Sequence, residues 1–211
     1  TELADWDSRR LRDVGMEGMG DISIYMSRLR DGRWDAAVKL TDDGGLSEQN
    51  PVLFNAPDRR VILFHTSQPG GRQDECEVRS RVSEDGGRTF GGSQRVGDFR
   101  GVFVRQPVLT GPSGEWLLPG FRCVAPPGMR WTGGLDTALM LVSRDQGKSW
   151  SAIDVPSSLG AVHMNPVAER GGVMPAFYRD RFAANVRRSV SSDGGLTWSP
   201  AEATPLPNNN S

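Results

Sequence analysis

A planar guanidinium can grip a carboxylate with two parallel hydrogen bonds, and Arg105, beside Gln106, and Arg179 and Arg181 are arginines that the strand order of this chain places at one end of the strands. Asn50 and Asn165 add side-chain amides that both donate and accept. Carboxylates able to move a proton stand at Glu17, in a Gly-rich stretch, and at Asp180, Asp74, Glu75 and Asp136. His163 has no partner in the sequence, and a packed or surface imidazole accounts for it as well as catalysis does. Arg179 and Arg181 would serve equally as a solvated loop pair, and Glu17 as a solvated loop acid. No phosphate loop, zinc-protease helix or paired C-x-x-C is present. The aspartates in the turns described next each come alone among Ser and Gly, short of the oxygens that calcium takes, so neither metal nor cofactor is expected.

What positions these groups is a repeat. Ser83-Glu84-Asp85-Gly86-Gly87-Arg88-Thr89-Phe90, Ser143-Arg144-Asp145-Gln146-Gly147-Lys148-Ser149-Trp150 and Ser191-Ser192-Asp193-Gly194-Gly195-Leu196-Thr197-Trp198 share S-x-D-x-G-x-[ST]-aromatic. Their starts are 60 and then 48 residues apart, near the roughly 40 to 50 residues of one propeller blade. Each box reads as a turn: the Asp accepts backbone N–H groups, the Gly takes positive φ, and the aromatic packs back. Thr41 to Ser47 is a weaker copy with Glu48 in the aromatic place, either a decayed box or a plain turn.

Upstream of each box the same order recurs. Asn50-Pro51-Val52, Gln106-Pro107-Val108 and Asn165-Pro166-Val167 predict innermost strands that begin at proline. Second strands follow at Val61 to His65, Trp116 to Leu118 and Val173 to Tyr178, and third strands at Val78 to Ser83, Thr137 to Ser143 and Arg187 to Ser191. A fourth strand leaves the first box at Ser93 to Val96. Asp21 to Ser27 and Arg30 to Trp34 read as the outer half of an earlier blade, and Pro205 to Ser211 as the run-in to a further innermost strand. Because strand direction alternates, the end opposite the boxes collects the starts of first strands and the loops from second to third strands. Gln49, Asn50, Arg105, Gln106, His163, Met164, Asn165 and the loops Thr66 to Glu75, Arg122 to Asp136 and Arg179 to Asn185 belong there, with Glu17 and the Asp13 to Gly20 loop.

This order resembles the predicted neuraminidases built from bacterial neuraminidase repeats, in the sialidase superfamily. The boxes carry the likeness together with Glu17-Gly18, Gln49 to Phe54, Arg105-Gln106-Pro107, Asn165-Pro166-Val167, Arg179-Asp180-Arg181, Arg187-Arg188-Ser189 and Leu206 to Ser211. The resemblance implies an all-β propeller of four-stranded blades, six in the whole family and about four here, in one domain over residues 1–211 that is incomplete at both ends. Sheets left open at the ends of such an arc would favour self-association. It also implies an exo-glycosidase acting on acidic glycans, with three arginines on the sugar carboxylate, a tyrosine nucleophile helped by Glu, and an Asp as acid and base. On that pattern Arg105 resembles the arginine of the family's Arg-Ile-Pro motif, Arg179 and Arg181 supply further arms, Asn50, Gln106 and Asn165 line the site, and Glu17 and Asp180 are the catalytic carboxylates. The chain departs from the pattern in its tyrosines: Tyr25 lies within a strand and Tyr178 outside any nucleophile motif. A non-catalytic propeller binding glycan or protein is the alternative, since boxes specify a fold and not a reaction.

Composition bounds the rest. With Lys plus Arg at 25 and Asp plus Glu at 26 in 211 residues, no basic field exists to hold a nucleic acid. No apolar run approaches the roughly 20 residues that cross a bilayer. The resemblance favours a secreted or extracellular setting, while Cys76 and Cys123 fit one disulfide or two buried thiols.

Overall fold

The computed structural model describes residues 22–42, 44–70 and 72–208, and over these the chain is built from β-strands with two single-turn 3-10 segments. It opens on a hairpin in which β1 (Tyr25–Met26) pairs with β4 (Val38–Lys39) and β2 (Leu29–Arg30) pairs with β3 (Arg33–Trp34). The first complete blade follows as β5 (Leu46–Asn55), β6 (Val61–Pro69), β7 (Glu77–Ser83) and β8 (Gln94–Arg100), antiparallel in chain order. In the second, β9 (Val102–Val104) and β10 (Leu109–Thr110) both pair with β11 (Trp116–Arg122), followed by β12 (Thr137–Ser143) and β13 (Ser151–Asp154). The third is β14 (Ala161–Pro166), β15 (Met174–Asp180), β16 (Asn185–Ser191) and β17 (Glu202–Pro207). Three four-stranded meanders, preceded by the outer hairpin of another, make this a propeller of the expected kind.

Two boundaries differ from the sequence reading. Innermost strands do not begin at proline: they start at Leu46, Val102 and Ala161, five residues ahead of Pro51, Pro107 and Pro166. Proline instead marks an irregularity, because it has no N–H to give the ladder. The register of β5 shifts between Gln49 and Val52, that of β14 between Val162 and Asn165, and in the second blade the strand divides between β9 and β10. Asn50 and His163 take positive φ of 54° and 53° at these breaks. The second correction is at the other end. Pro205 to Pro207 do not lead into a further innermost strand but lie in β17, an outer edge that tolerates proline; residues 209–211 fall outside the described range.

The boxes are turns closed by their own side chains. In the second, Ser143 Oγ donates to Asp145 Oδ1 (2.9 Å) and accepts from Gly147 N (2.8 Å), while Asp145 accepts from the N–H (2.8 Å) and hydroxyl (2.5 Å) of Ser149. The same set joins Ser83, Asp85, Gly87 and Thr89, and again Ser191, Asp193, Gly195 and Thr197. The weaker copy takes no such shape: Thr41 Oγ1 accepts from Ile24 N (2.9 Å), Asp42 takes Lys39 Nζ (2.7 Å), and Ser47 and Glu48 are buried within β5. Asp43 lies outside the described residues.

Blades stack through apolar faces. Val52, Phe54, Ile62, Phe64, Val78 and Val96 of the first meet Val102, Val104, Trp116, Leu118, Leu139 and Leu141 of the second, with Phe54 edge-on to Trp116 at 4.9 Å. The other face of the second blade, through Leu117, Ala138, Met140 and Val142, packs on Ala161, Met164, Met174, Ala176 and Tyr178. Being covered on both sides, β12 reads Thr-Ala-Leu-Met-Leu-Val-Ser with no polar alternation. In the first blade β7 alternates instead, as Glu-Val-Arg-Ser-Arg-Val-Ser.

Gln146 and Gly147 of the second box both take positive φ, 59° and 86°, but only a Cβ on Gly147 would strike the Trp116 ring, at 2.7 Å. Gly147→Ala is therefore expected to cost about 2–4 kcal/mol from left-handed backbone plus overpacking. Gly86→Gln, at the first-box counterpart of Gln146 where no atom lies within 4 Å of the added Cβ, should cost about 1 kcal/mol. Chemical denaturation of the two variants checks the difference.

The box carboxylates also set an acid limit. Bonds from the N–H and hydroxyl of Thr89 and the hydroxyl of Ser83 hold Asp85 far below its ordinary 3.8. The hydroxyl and N–H of Ser149, with the hydroxyl of Ser143, hold Asp145 at about 2. Asp193 is lowered as well: burial opposes the shift, and the bonds from Thr197 and Ser191 outweigh it. Depressed folded values mean that this stabilisation is complete above the unfolded carboxylate range near pH 4 and is lost as pH falls through about 2. Asp145→Asn should flatten the pH dependence of the melting temperature between pH 5 and pH 2, as roughly spanned by those two values, without altering it near neutrality.

Candidate functional site

Ladder pairing fixes which groups share an end. Val61 pairs with Ser83, Trp116 with Ser143 and Met174 with Ser191, so all three boxes lie at one end of the blades. Leu46 with Pro69, Arg122 with Val102 and Ala161 with Asp180 mark the other, where the second-to-third-strand loops gather. That far end carries the cationic cluster.

His163 is the hub of the cluster. Its backbone bulges out of β14, its ring stands edge-on to Phe121 at 5.2 Å, and Phe121 stacks on Phe103 at 5.3 Å. Burial, and then the charges of Arg105, Arg179 and Arg181, drive its pKa down from 6.5 to about 4, so the imidazole is neutral at pH 7. Three guanidiniums from the second and third blades thus act on one uncharged ring. Arg105 follows directly on β9 and is exposed, while Arg179 and Arg181 flank the end of β15 and are half-buried.

The remaining sequence candidates divide. Gln106 lies beside Arg105 in the break of the second-blade inner strand, and Asn165 is exposed two residues beyond His163, opposite Phe177. Asn50 sits at the corresponding bulge of the first blade, half-buried, and among the described residues no hydrogen bond or ion pair ties it to the arginines. Asp180 is buried and turned into its own loop, accepting from the N–H groups of Phe182 and Ala184 at 3.3 Å each. Those two bonds close the loop that follows β15. Glu17 lies outside the described residues.

The sequence names Asp136 as a carboxylate at this end but reveals neither its pairing with Arg181 nor the part of Trp131. The Arg181 guanidinium pairs with Asp136 at 2.7 Å and lies 5.1 Å and 5.7 Å from the ring centroids of Trp131 and Phe121. An indole in the Gly-rich 122–136 loop was the available signal. Nor does the sequence reveal the buried pair in the first blade, where His65 Nδ1 stands 2.6 Å from Glu48 and Ser67 Oγ donates to the same carboxylate at 2.9 Å. Cys76 and Cys123 are separate buried thiols; burial pushes both up, which leaves them poor nucleophiles at neutral pH. Tyr178 is buried with its hydroxyl on Ser189 (2.5 Å) and pushed up to about 12 by burial, and Tyr25 lies on the outer hairpin.

Because His163 is depressed, its contribution to stability is complete above about pH 6.5 and declines as pH falls through about 4. Arg105→Ala removes one of the charges opposing protonation and should raise the His163 midpoint, as followed by imidazole NMR. An unchanged midpoint would separate Arg105 from the cluster.

The BNR repeat-like domain family matches residues 3–211. No curated protein matches. Among solved structures, a Dyadobacter fermentans protein of unknown function superposes with a TM-score of 0.68 at 16% identity, over 93% of this chain and 63% of its own. A Hadza microbial sialidase gives 0.69 at 14% identity, over 87% and 41%, and a Penicillium chrysogenum α-L-arabinanase complexed with arabinobiose gives 0.56 at 15%, over 90% and 55%. At such identities the likeness is one of fold. The chain spans less than two thirds of each of these structures.

Proposed function

We propose that this chain, which belongs to the BNR repeat-like domain family, is part of a carbohydrate-active propeller that takes an acidic glycan by its carboxylate at the end opposite the boxes. The observation that carries the reading is that Arg181 and His163 both lie against the Phe121 ring, at 5.7 Å and 5.2 Å, with the charges of Arg105, Arg179 and Arg181 adding to burial in keeping that imidazole neutral. A cluster of like charges is costly to assemble, and a carboxylate placed among them relieves that cost while gaining bidentate bonds. The neutral imidazole adds a hydrogen-bonding group without adding a fourth positive charge. In this reading Gln106, Asn165 and Asn50 meet hydroxyls along the inner strands, and the carboxylates assigned to proton transfer are Glu17 and Asp180, the latter also closing its own loop. The likeness in fold to a sialidase and to an arabinanase supports a glycoside as ligand.

The finer proposal is sialidase-like exo-hydrolysis by the whole protein. A second reading, glycan binding without turnover, is favoured by one specific observation. Among the described residues neither tyrosine is placed as a nucleophile: the Tyr178 hydroxyl is buried on Ser189 and Tyr25 is on the outer hairpin.

Hydrolysis of a fluorogenic sialoside by the full-length protein distinguishes the two. Under the first reading Arg105→Ala should lower kcat/KM about 10- to 100-fold, the equivalent of one lost charge-assisted contact of about 1.5–3 kcal/mol. Retained binding of acidic glycans on an array, with no turnover, would select the second. Binding that is indifferent to Arg105→Ala would remove the carboxylate assignment altogether.

A further inference from the structure

We infer that Asp136 and Trp131, both carried by the second blade, are positioning residues that fix the Arg181 guanidinium of the third blade for an incoming carboxylate. The inference rests on the anion-holding reading above and adds to it a specific supporting shell.

Asp136 is fully buried. Its Oδ1 accepts from Trp131 Nε1 (2.9 Å) and from the N–H of Val124 (3.2 Å), and its Oδ2 faces Arg181 at 2.7 Å. With both oxygens engaged and no exposure to solvent, the carboxylate is fixed in place. Trp131 does two things at once. Its N–H holds the carboxylate, and its ring lies 5.1 Å from the Arg181 guanidinium, whose other aromatic neighbour is Phe121 at 5.7 Å. Gly133, from the same loop, leaves room for this: a Cβ there would stand 3.2 Å from Arg181 Nε. The buried Nε makes no hydrogen bond among the described residues, so the side chain is held by one charged edge and two ring faces. A long cation fixed in this way has lost its rotamer freedom before a ligand arrives, and that loss need not then be charged to binding.

The alternative role for Asp136 is purely electrostatic, a counter-charge that dilutes the field of the arginines. The two roles give opposite signs when the charge is removed. If Asp136 positions Arg181, Asp136→Asn lets the guanidinium leave the cluster, and the His163 midpoint rises from about 4 toward 6.5 in the ligand-free chain. If it only dilutes the field, removing its charge leaves that midpoint unchanged or lowers it, and the inference fails. Imidazole NMR reads this without any ligand. Trp131→Phe keeps the ring and deletes the N–H, so it should move the midpoint in the same direction by less; no movement would overturn the part given to Trp131. Circular dichroism establishes that each variant is folded, and if Asp136→Asn is not, Trp131→Phe and Arg181→Lys decide the matter by the same titration.

Binding of N-acetylneuraminate as a probe gives the second arm. A positioning role predicts about tenfold weaker binding in Asp136→Asn. Tighter binding would overturn it. If the unaltered protein does not bind the probe at all, the proposed function loses its acidic-sugar assignment, while the His163 titration still tests the support of Arg181.

Discussion

Apolar packing between neighbouring blades is the constraint on which everything at the far end depends. The second blade is buried on both faces, by Leu118, Leu139 and Leu141 on one and Leu117, Met140 and Val142 on the other. Burial of this kind is worth roughly 25 cal/mol per Å² of apolar surface and is indifferent to direction. Direction comes from interdigitation, as where Phe54 meets Trp116 edge-on and Arg60 lies over the same indole while donating to Gln146 O at 2.9 Å. With three sheets fixed in relative position, side chains from separate blades meet where their strands end. Arg105 of the second blade acts on His163 of the third only because the interface between those two blades holds.

The cluster reverses the usual economy of a surface. Exposed ion pairs contribute little, since water screens them and long side chains lose freedom to form them. Here Asp136 is fully buried and Arg181 mostly so, with the aromatic column of Phe103, Phe121 and Trp131 shielding the pair. A buried pair is costly to break from one side, because the partner left behind is desolvated and unpaired. The region is therefore stiff where it touches the second blade and open where Arg105 faces solvent, a division suited to holding one end of a ligand while leaving the other accessible.

Much of the fold was legible because its determinants are local. A box declares itself in eight residues, as from Ser143 to Trp150, and the absence of polar alternation in Thr137 to Ser143 marks a strand with a neighbour on each side. The innermost strands were harder. Proline marks their start in the sequence, whereas pairing extends five residues upstream and proline sits at the break, because Leu46 can pair with Pro69 across a bulge that no periodicity reveals. Pro205 and Pro207 carry the same ambiguity, since proline fits an edge strand as readily as a strand entry. Arg105, Arg179 and Arg181 are legible from their places at strand ends and from the resemblance of Arg105-Gln106-Pro107 to a family motif. Their organisation is not, because Trp131 and Asp136 belong to a loop without pattern and reach Arg181 only through the stacking of blades, and because the environment of His163 is assembled from two of them. Asp180 shows the converse, an acid in the right loop whose carboxylate closes that loop.

The self-contained closure of each box has a consequence for how the chain assembles. The side-chain bonds of the first box run between Ser83 and Thr89, so the link between third and fourth strands closes a short loop at a smaller entropy cost than any contact between blades. Contacts between blades join residues far apart along the chain, as Arg60 does with Gln146, and these are slow to find one another. Outer hairpins would then be the early-formed pieces and the stacking of sheets the late step. The far end, whose cationic cluster exists only after that step, would be the last part of the molecule to become competent.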